Sequence, residues 1–156
     1  MKKSNLILLF SLFLVSCQSN SAKGQMLVGK IDNSVAVITA NKTTLLTNFS
    51  NNLLRLSGIT GNFTDATIVQ DGSNYYLVFT GTQFKSSLLL KLMPSSDNTT
   101  LVYEDDGGGG GHVTCTTSEC AAEPRGCVPA PVGLACTPCA NGGKCTKTVS
   151  SASMLQ

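Results

Sequence analysis

The sequence is short of charge, histidine and tryptophan. Of its 156 residues 13% are charged, one is His and none is Trp, and the formal net charge is only +2. A nucleic-acid binder needs a clustered basic surface, so this composition predicts no nucleic-acid partner. A lone His112 offers little for a Ser-His-Asp or Cys-His apparatus, and no metalloprotease, EF-hand or dinucleotide-binding motif occurs. We therefore assign no catalytic residue and expect a non-enzymatic protein.

The N-terminus carries the most specific pattern in the chain. Met1-Lys2-Lys3 is followed by an apolar run over residues 6–15, which is too short to span a hydrocarbon core of roughly 30 Å. The run ends in Leu14-Val15-Ser16-Cys17, which resembles the lipobox of bacterial lipoproteins. The resemblance implies a signal peptide over residues 1–16, cleavage before Cys17, and acylation of that residue with palmitate-type chains.

This resemblance also implies a location and a partner. The acyl chains on Cys17 would attach the protein to the membrane of the cell envelope, and the polar residues 17–25 suit a flexible tether. Gln18, rather than Asp, follows the lipidated residue. By the sorting rule of some Gram-negative lipoproteins, this favours the outer membrane, with the body facing the periplasm.

Residues 26–106 read as a small α+β domain. A helix is predicted where apolar residues recur at three- and four-residue steps, with Asn41 as its N-cap and Gly58 at its end: Leu45, Leu46, Phe49, Leu53 and Leu56. Before it lie two short β-branched runs, and after it come four strand candidates, residues 65–70, 74–80, 87–93 and 99–104. Asp71-Gly72 is the clearest hairpin turn. We expect one helix packed on a small antiparallel sheet.

Beyond this domain the composition changes abruptly. Gly107 to Gly111 form a pentaglycine run, which predicts a linker because it has no side chains to pack. Residues 112–156 contain no aromatic residue, so we expect a loop-rich tail held by crosslinks instead of a core. The tail contains six cysteines: Cys115, Cys120, Cys127, Cys136, Cys139 and Cys145.

Parity favours disulfides in this tail. Seven cysteines leave one unpaired, but assigning Cys17 to the lipid leaves an even set of six. Six cysteines permit fifteen pairings, and the spacing does not choose among them.

Two alternatives remain open for the tail. The CxxC at Cys136 and Cys139, with Cys145 or His112, offers a partial Zn²⁺ site. The same CxxC has the form of a thiol-redox motif, although no helix is plausible after it. The sequence thus predicts an envelope lipoprotein that serves as a binding or structural module, with an envelope protein as its possible partner. The alternative is a periplasmic metal-binding or thiol-redox lipoprotein.

Overall fold

The structure, a computed structural model, describes residues 24–93, 99–104 and 111–156. Four expected features lie outside the described residues: the signal peptide, Cys17, the tether up to residue 23 and most of the pentaglycine run. One helix is described, α1 (Lys42–Ser57). The described strands are β1 (Gln25–Asp32), β2 (Val35–Ile38), β3 (Phe63–Asp71), β4 (Asn74–Gly81), β5 (Lys85–Leu92), β6 (Thr100–Glu104), β7 (His112–Thr117) and β8 (Thr146–Ser150).

These strands form one antiparallel sheet that is nearly closed into a barrel. The strand order is β2-β1-β6-β5-β4-β3, while β7 pairs with β5 and β8 pairs with β7. The two outer strands of this order, β2 and β3, lie in contact. The predicted α+β architecture, a helix on a small sheet followed by a loop-rich tail, is therefore wrong, because strands dominate and the sheet curls around the core.

The error arises from β7 and β8, which belong to the expected tail. Their sequences, HVTCTT and TKTVS, contain no apolar run, so the sequence pattern predicts loop there. Thr and Val are β-branched and favour strands, and β7 extends the sheet by pairing with Lys85–Leu88 of β5. Four of the six residues of β7 are buried although they are threonine or cysteine: Thr114, Cys115, Thr116 and Thr117.

The predicted hairpins are present, with one turn shifted. Asn33 and Ser34, between β1 and β2, both have positive φ angles of 48° and 67°, as a two-residue type I′ loop requires. Between β3 and β4, Asp71 pairs with Asn74, so the loop is Gly72-Ser73 instead of the expected Asp71-Gly72. Gly72 has φ +60°, which glycine adopts without a steric cost.

The predicted helix and both of its caps are confirmed. The Asn41 side chain accepts a hydrogen bond from the Thr44 N–H at 3.0 Å. At the other end Gly58 is left-handed, and its N–H donates to the Leu54 carbonyl at 2.9 Å. Helix α1 is rich in Thr and Asn, which are poor helix formers, so it depends on these caps and on packing.

Loss of the N-cap gives a first prediction. Asn41→Ala should lower the free energy of unfolding by about 1 kcal/mol, because the Thr44 N–H loses its acceptor. Chemical denaturation of the purified protein measures the change. Asn51→Ala, at an exposed position inside the same helix, is the matched control and should be neutral or slightly stabilising. Equal losses in both variants would show that the cap contributes nothing specific.

The core lies between α1 and the inner face of the sheet. Phe49 of the helix stacks on Phe79 of β4 with ring centroids 3.9 Å apart, and Phe63 meets both rings edge-on. Met154 and Leu155, which follow β8, are fully buried in the same cluster. The protein therefore closes its core with its last residues. Among the described residues no helix is long and apolar enough to cross a membrane.

Candidate functional site

Residues 118–145, hereafter the crosslinked segment, connect β7 to β8 and cover the outer face of the sheet. Val128 packs in a buried cluster with Tyr76 and Val78 of β4. The Ser87 hydroxyl donates to the Cys127 carbonyl at 2.7 Å. Strand β4 is thus buried on both faces, since Leu77 and Phe79 point into the core on the other side. Burial raises the pKa of the Tyr76 hydroxyl.

A buried lysine fastens the start of this segment to the sheet. The Lys85 ammonium group donates to the Glu123 carbonyl and, at 3.4 Å, to the Pro124 carbonyl. Burial lowers the Lys85 pKa, and the nearby Glu123 carboxylate opposes that shift. Gly126, at φ +61°, passes so close that a Cβ there would stand 3.3 Å from the Lys85 side chain. These contacts make Lys85 a structural cation that satisfies otherwise unpaired carbonyl groups.

All six predicted cysteines form disulfides. The pairs are Cys115–Cys136, Cys120–Cys139 and Cys127–Cys145, with Cα–Cα distances of 5.8, 6.0 and 6.2 Å. The first cysteine of the set therefore joins the fourth, the second the fifth and the third the sixth, so every bridge overlaps the other two along the chain. The bridges form the apolar centre of the crosslinked segment, where conventional core side chains are scarce.

The residues of the zinc alternative do not all come together. The three sulfur atoms within 4.8 Å of one another belong to Cys115, Cys136 and Cys145. Cys139 of the CxxC and His112 are outside that group. In the disulfide-bonded state no thiolate is available to bind a metal, so this alternative requires the reduced protein.

A cleft arises where two strands part. On one edge of β5, β7 pairs with Lys85–Leu88, and β6 pairs farther along with Lys91 and Leu92. Between these two pairings β6 and β7 diverge, and the crosslinked segment roofs the gap. The resulting cleft has a volume of about 400 Å³ and is lined largely by apolar residues: Leu89, Val113, Pro129, Ala130, Pro131 and Leu134.

One wall of the cleft is polar. Glu104, at the end of β6, pairs with the Lys91 ammonium group and accepts a hydrogen bond from Gln25 Nε2 at 2.9 Å. His112, at the start of β7, lies against Tyr103 with ring centroids 5.0 Å apart. Small-molecule sites usually combine an apolar floor with a few polar groups along one side. The volume of this cleft also lies within the usual range for such sites.

The sequence does not predict this cleft. It marks His112 as a possible metal ligand and places Lys91 and Glu104 in two strand candidates. Their proximity depends on the divergence of β6 and β7, which no local pattern reports. The run Val-Pro-Ala-Pro-Val-Gly-Leu at 128–134, apolar yet rich in proline, is the one sequence feature that marked this part of the segment as unusual. The expected lipidation site, Cys17, lies outside the described residues.

Comparisons with known proteins leave the residues as the only guide to function. The chain matches no protein-family model, no curated protein and no solved structure.

Proposed function

We propose that the protein is a lipid-anchored bacterial envelope protein that binds a small, largely apolar ligand or an envelope partner at the cleft. One observation carries the anchor: the apolar run of residues 6–15 ends in Leu14-Val15-Ser16-Cys17, which is the full lipobox pattern at the correct distance from a basic start. On this proposal the protein faces the periplasm from the outer membrane.

The disulfides support an exported location. Structural disulfides persist in oxidising compartments and are rare in the cytosol. Three bridges use all the cysteines of the chain except Cys17. That residue is therefore left over for a thioether bond to lipid, which agrees with the lipobox.

Replacing the acylated cysteine gives the test of the anchor. Cys17→Ser should abolish labelling with palmitate and release the protein from the membrane fraction, because the modification requires a thiol. Each buried CH₂ contributes roughly 0.8 kcal/mol, so two or three acyl chains hold firmly and their loss is decisive. Cell fractionation and labelling measure the effect. Ser16→Ala, which keeps a small residue before Cys17, is the control and should behave as wild type.

The opposite outcome is equally clear. If Cys17→Ser still sediments with membranes and still takes up the label, the lipobox interpretation is wrong and another anchor must be sought.

The cleft is tested by photocrosslinking in cells. A photoactivatable side chain in place of Val113, which lines the cleft, should form a specific adduct with the bound molecule. Val37 of β2, a valine of similar partial burial outside the cleft lining, is the control position. Identical adduct patterns from both positions, or none from Val113, would count against a binding role for the cleft.

A further inference from the structure

The rim of the cleft carries an exposed apolar tip. We give this name to Pro131–Leu134, which form the outermost turn of the crosslinked segment. Val132 is 88% exposed and Leu134 is 47% exposed. Val149 of β8, 46% exposed, lies against Gly111, which also lines the cleft. Scattered exposed apolar side chains are ordinary, but these three belong to segments that border one apolar opening, because Pro131, Gly133 and Gly111 line the cleft.

The apolar tip is ordered in the unbound protein. Ala130 N–H donates to the Ala135 carbonyl at 2.9 Å, and Pro129 forms a β-bridge with Cys136. Disulfides at Cys127 and Cys136 anchor the two sides of the loop. A loop that is already ordered pays little conformational entropy when it docks, so the tip is suited to binding through very few side chains.

The first described strand begins beside the cleft. Strand β1 begins at Gln25, whose side chain donates to Glu104, and Glu104 lines the cleft together with Pro131 and Leu134. Residues 18–24 separate this point from Cys17, and seven residues span at most roughly 25 Å. If Cys17 is acylated, the cleft end of the barrel stays within that distance of the bilayer.

A lysine accompanies the apolar tip. The Lys147 ammonium group donates to the Leu134 carbonyl at 2.9 Å, which places a cation directly behind the exposed side chains. Apolar side chains backed by a lysine suit the boundary between acyl chains and headgroups, because the ammonium group remains among the phosphates. The chemistry and the position of the tether point to the same surface.

We propose that the apolar tip inserts into the interface of the membrane that carries the anchor, so that the cleft opens toward the lipid surface. This inference rests on the proposed acylation of Cys17. Lipid is the proposed partner of the apolar tip. An apolar pocket of a protein partner is the competing outcome. It also supplies an orientation in which an apolar ligand passes from the bilayer into the cleft.

Because the chain contains no tryptophan, one introduced tryptophan can be measured without background emission from others. Val132→Trp places a single reporter on the apolar tip, and the 88% exposure of Val132 leaves room for the larger ring. Val35→Trp is the matched control, because Val35 is 62% exposed and pairs with Asp32 at the far end of β1. The eight residues of β1 separate the two ends of the strand by roughly 23 Å. Both full-length variants are purified in lipidated form and reconstituted into phosphatidylcholine vesicles with brominated acyl chains.

The variant at Val132 should shift its emission to shorter wavelength and lose about half or more of it to bromine quenching, since interfacial side chains sit roughly 5–10 Å into the boundary region. The variant at Val35 should emit as in water. Equal, weak quenching of both reporters on vesicles that carry the protein overturns the insertion while leaving the anchor intact. Failure of the protein to float with vesicles at all overturns the proposed anchor, and the insertion with it. Mass spectrometry confirms that both variants retain three disulfides.

Discussion

Leu155→Ala should lower the free energy of unfolding by about 2–5 kcal/mol, a large part of the stability of a domain of this size. Leu155 is fully buried in the core cluster that also contains Phe49 of α1 and Leu88 of β5. Removing its side chain leaves a cavity in this cluster, and a packed core relaxes only partly into such a cavity. Met154→Ala should have a cost of the same order, because Met154 is equally buried.

The backbone around Leu155 adds to the expected effect. Asn48 Nδ2 of α1 donates to the Leu155 carbonyl at 2.8 Å, and Asn52 Nδ2 donates to the carbonyls of Met154 at 3.3 Å and Gln156 at 3.0 Å. The two asparagines lie one turn apart on the helix and hold the segment after β8 against it. Their presence explains why α1 tolerates residues that disfavour helices.

Urea denaturation of the oxidised protein measures the loss at position 155. The control is Gln156→Ala, since that side chain is exposed and its hydrogen bond uses the backbone. It should change the midpoint very little. If Leu155→Ala proves as mild as Gln156→Ala, these last residues do not close the core in solution.

Local chemistry made the helix and the hairpins predictable. Asn41 and Gly58 act within one helical turn, and the turn between β3 and β4 depends on residues that neighbour each other in sequence. Leu77 and Phe79, and likewise Leu88 and Leu90, stand at every second position of their strands and lie in the core. For these elements the deciding interactions are short-range, so a single sequence contains them.

Long-range pairing was not predictable in the same way. Strand β7 has no hydrophobic alternation, and its burial depends on β5 on one side and on the crosslinked segment above it. Tyr76 illustrates the same limit. Alternation along β4 puts Tyr76 on the face opposite Leu77 and Phe79, but only the structure shows Val128 covering it. Alternation separates the two faces of a strand, but it does not report which distant segment covers the second face.

The same distinction between short-range and long-range interactions applies to the candidate site. Cysteine parity predicted that six cysteines pair with one another, whereas the choice among fifteen pairings depends on how the chain folds back. The cleft depends on Glu104 and His112 lying at the ends of two strands that diverge from a shared neighbour. Nothing in the spacing of these residues reports that divergence.

Reduction of the disulfides should release the crosslinked segment while the barrel remains folded. The bridges close loops with sequence separations of 18–21 residues, and a loop of about that length contributes roughly 3 kcal/mol through the unfolded state. The noncovalent contacts that remain with the strands include Val128 on β4, the Ser87 hydroxyl, the Lys85 ammonium group, the Arg125–Asp71 ion pair and the hydrogen bond from Lys147 to the Leu134 carbonyl. They cannot offset the ordering cost of 28 residues at about 1–2 kcal/mol each. The strands and α1 keep a separate core that contains no cysteine.

Hydrogen exchange of the mature protein, with and without reductant and in each case with and without a chelator, measures this release. Amides of residues 118–145 should lose protection on reduction, while those of β3, β4 and α1 keep it. Removing one bridge alone, with Cys120→Ser and Cys139→Ser together, should destabilise by less than full reduction, because the bridges overlap and share their loops. Protection that survives reduction would show that packing suffices to order the segment. Protection that survives reduction but disappears only when the chelator is added would instead favour a metal held by Cys115, Cys136 and Cys145.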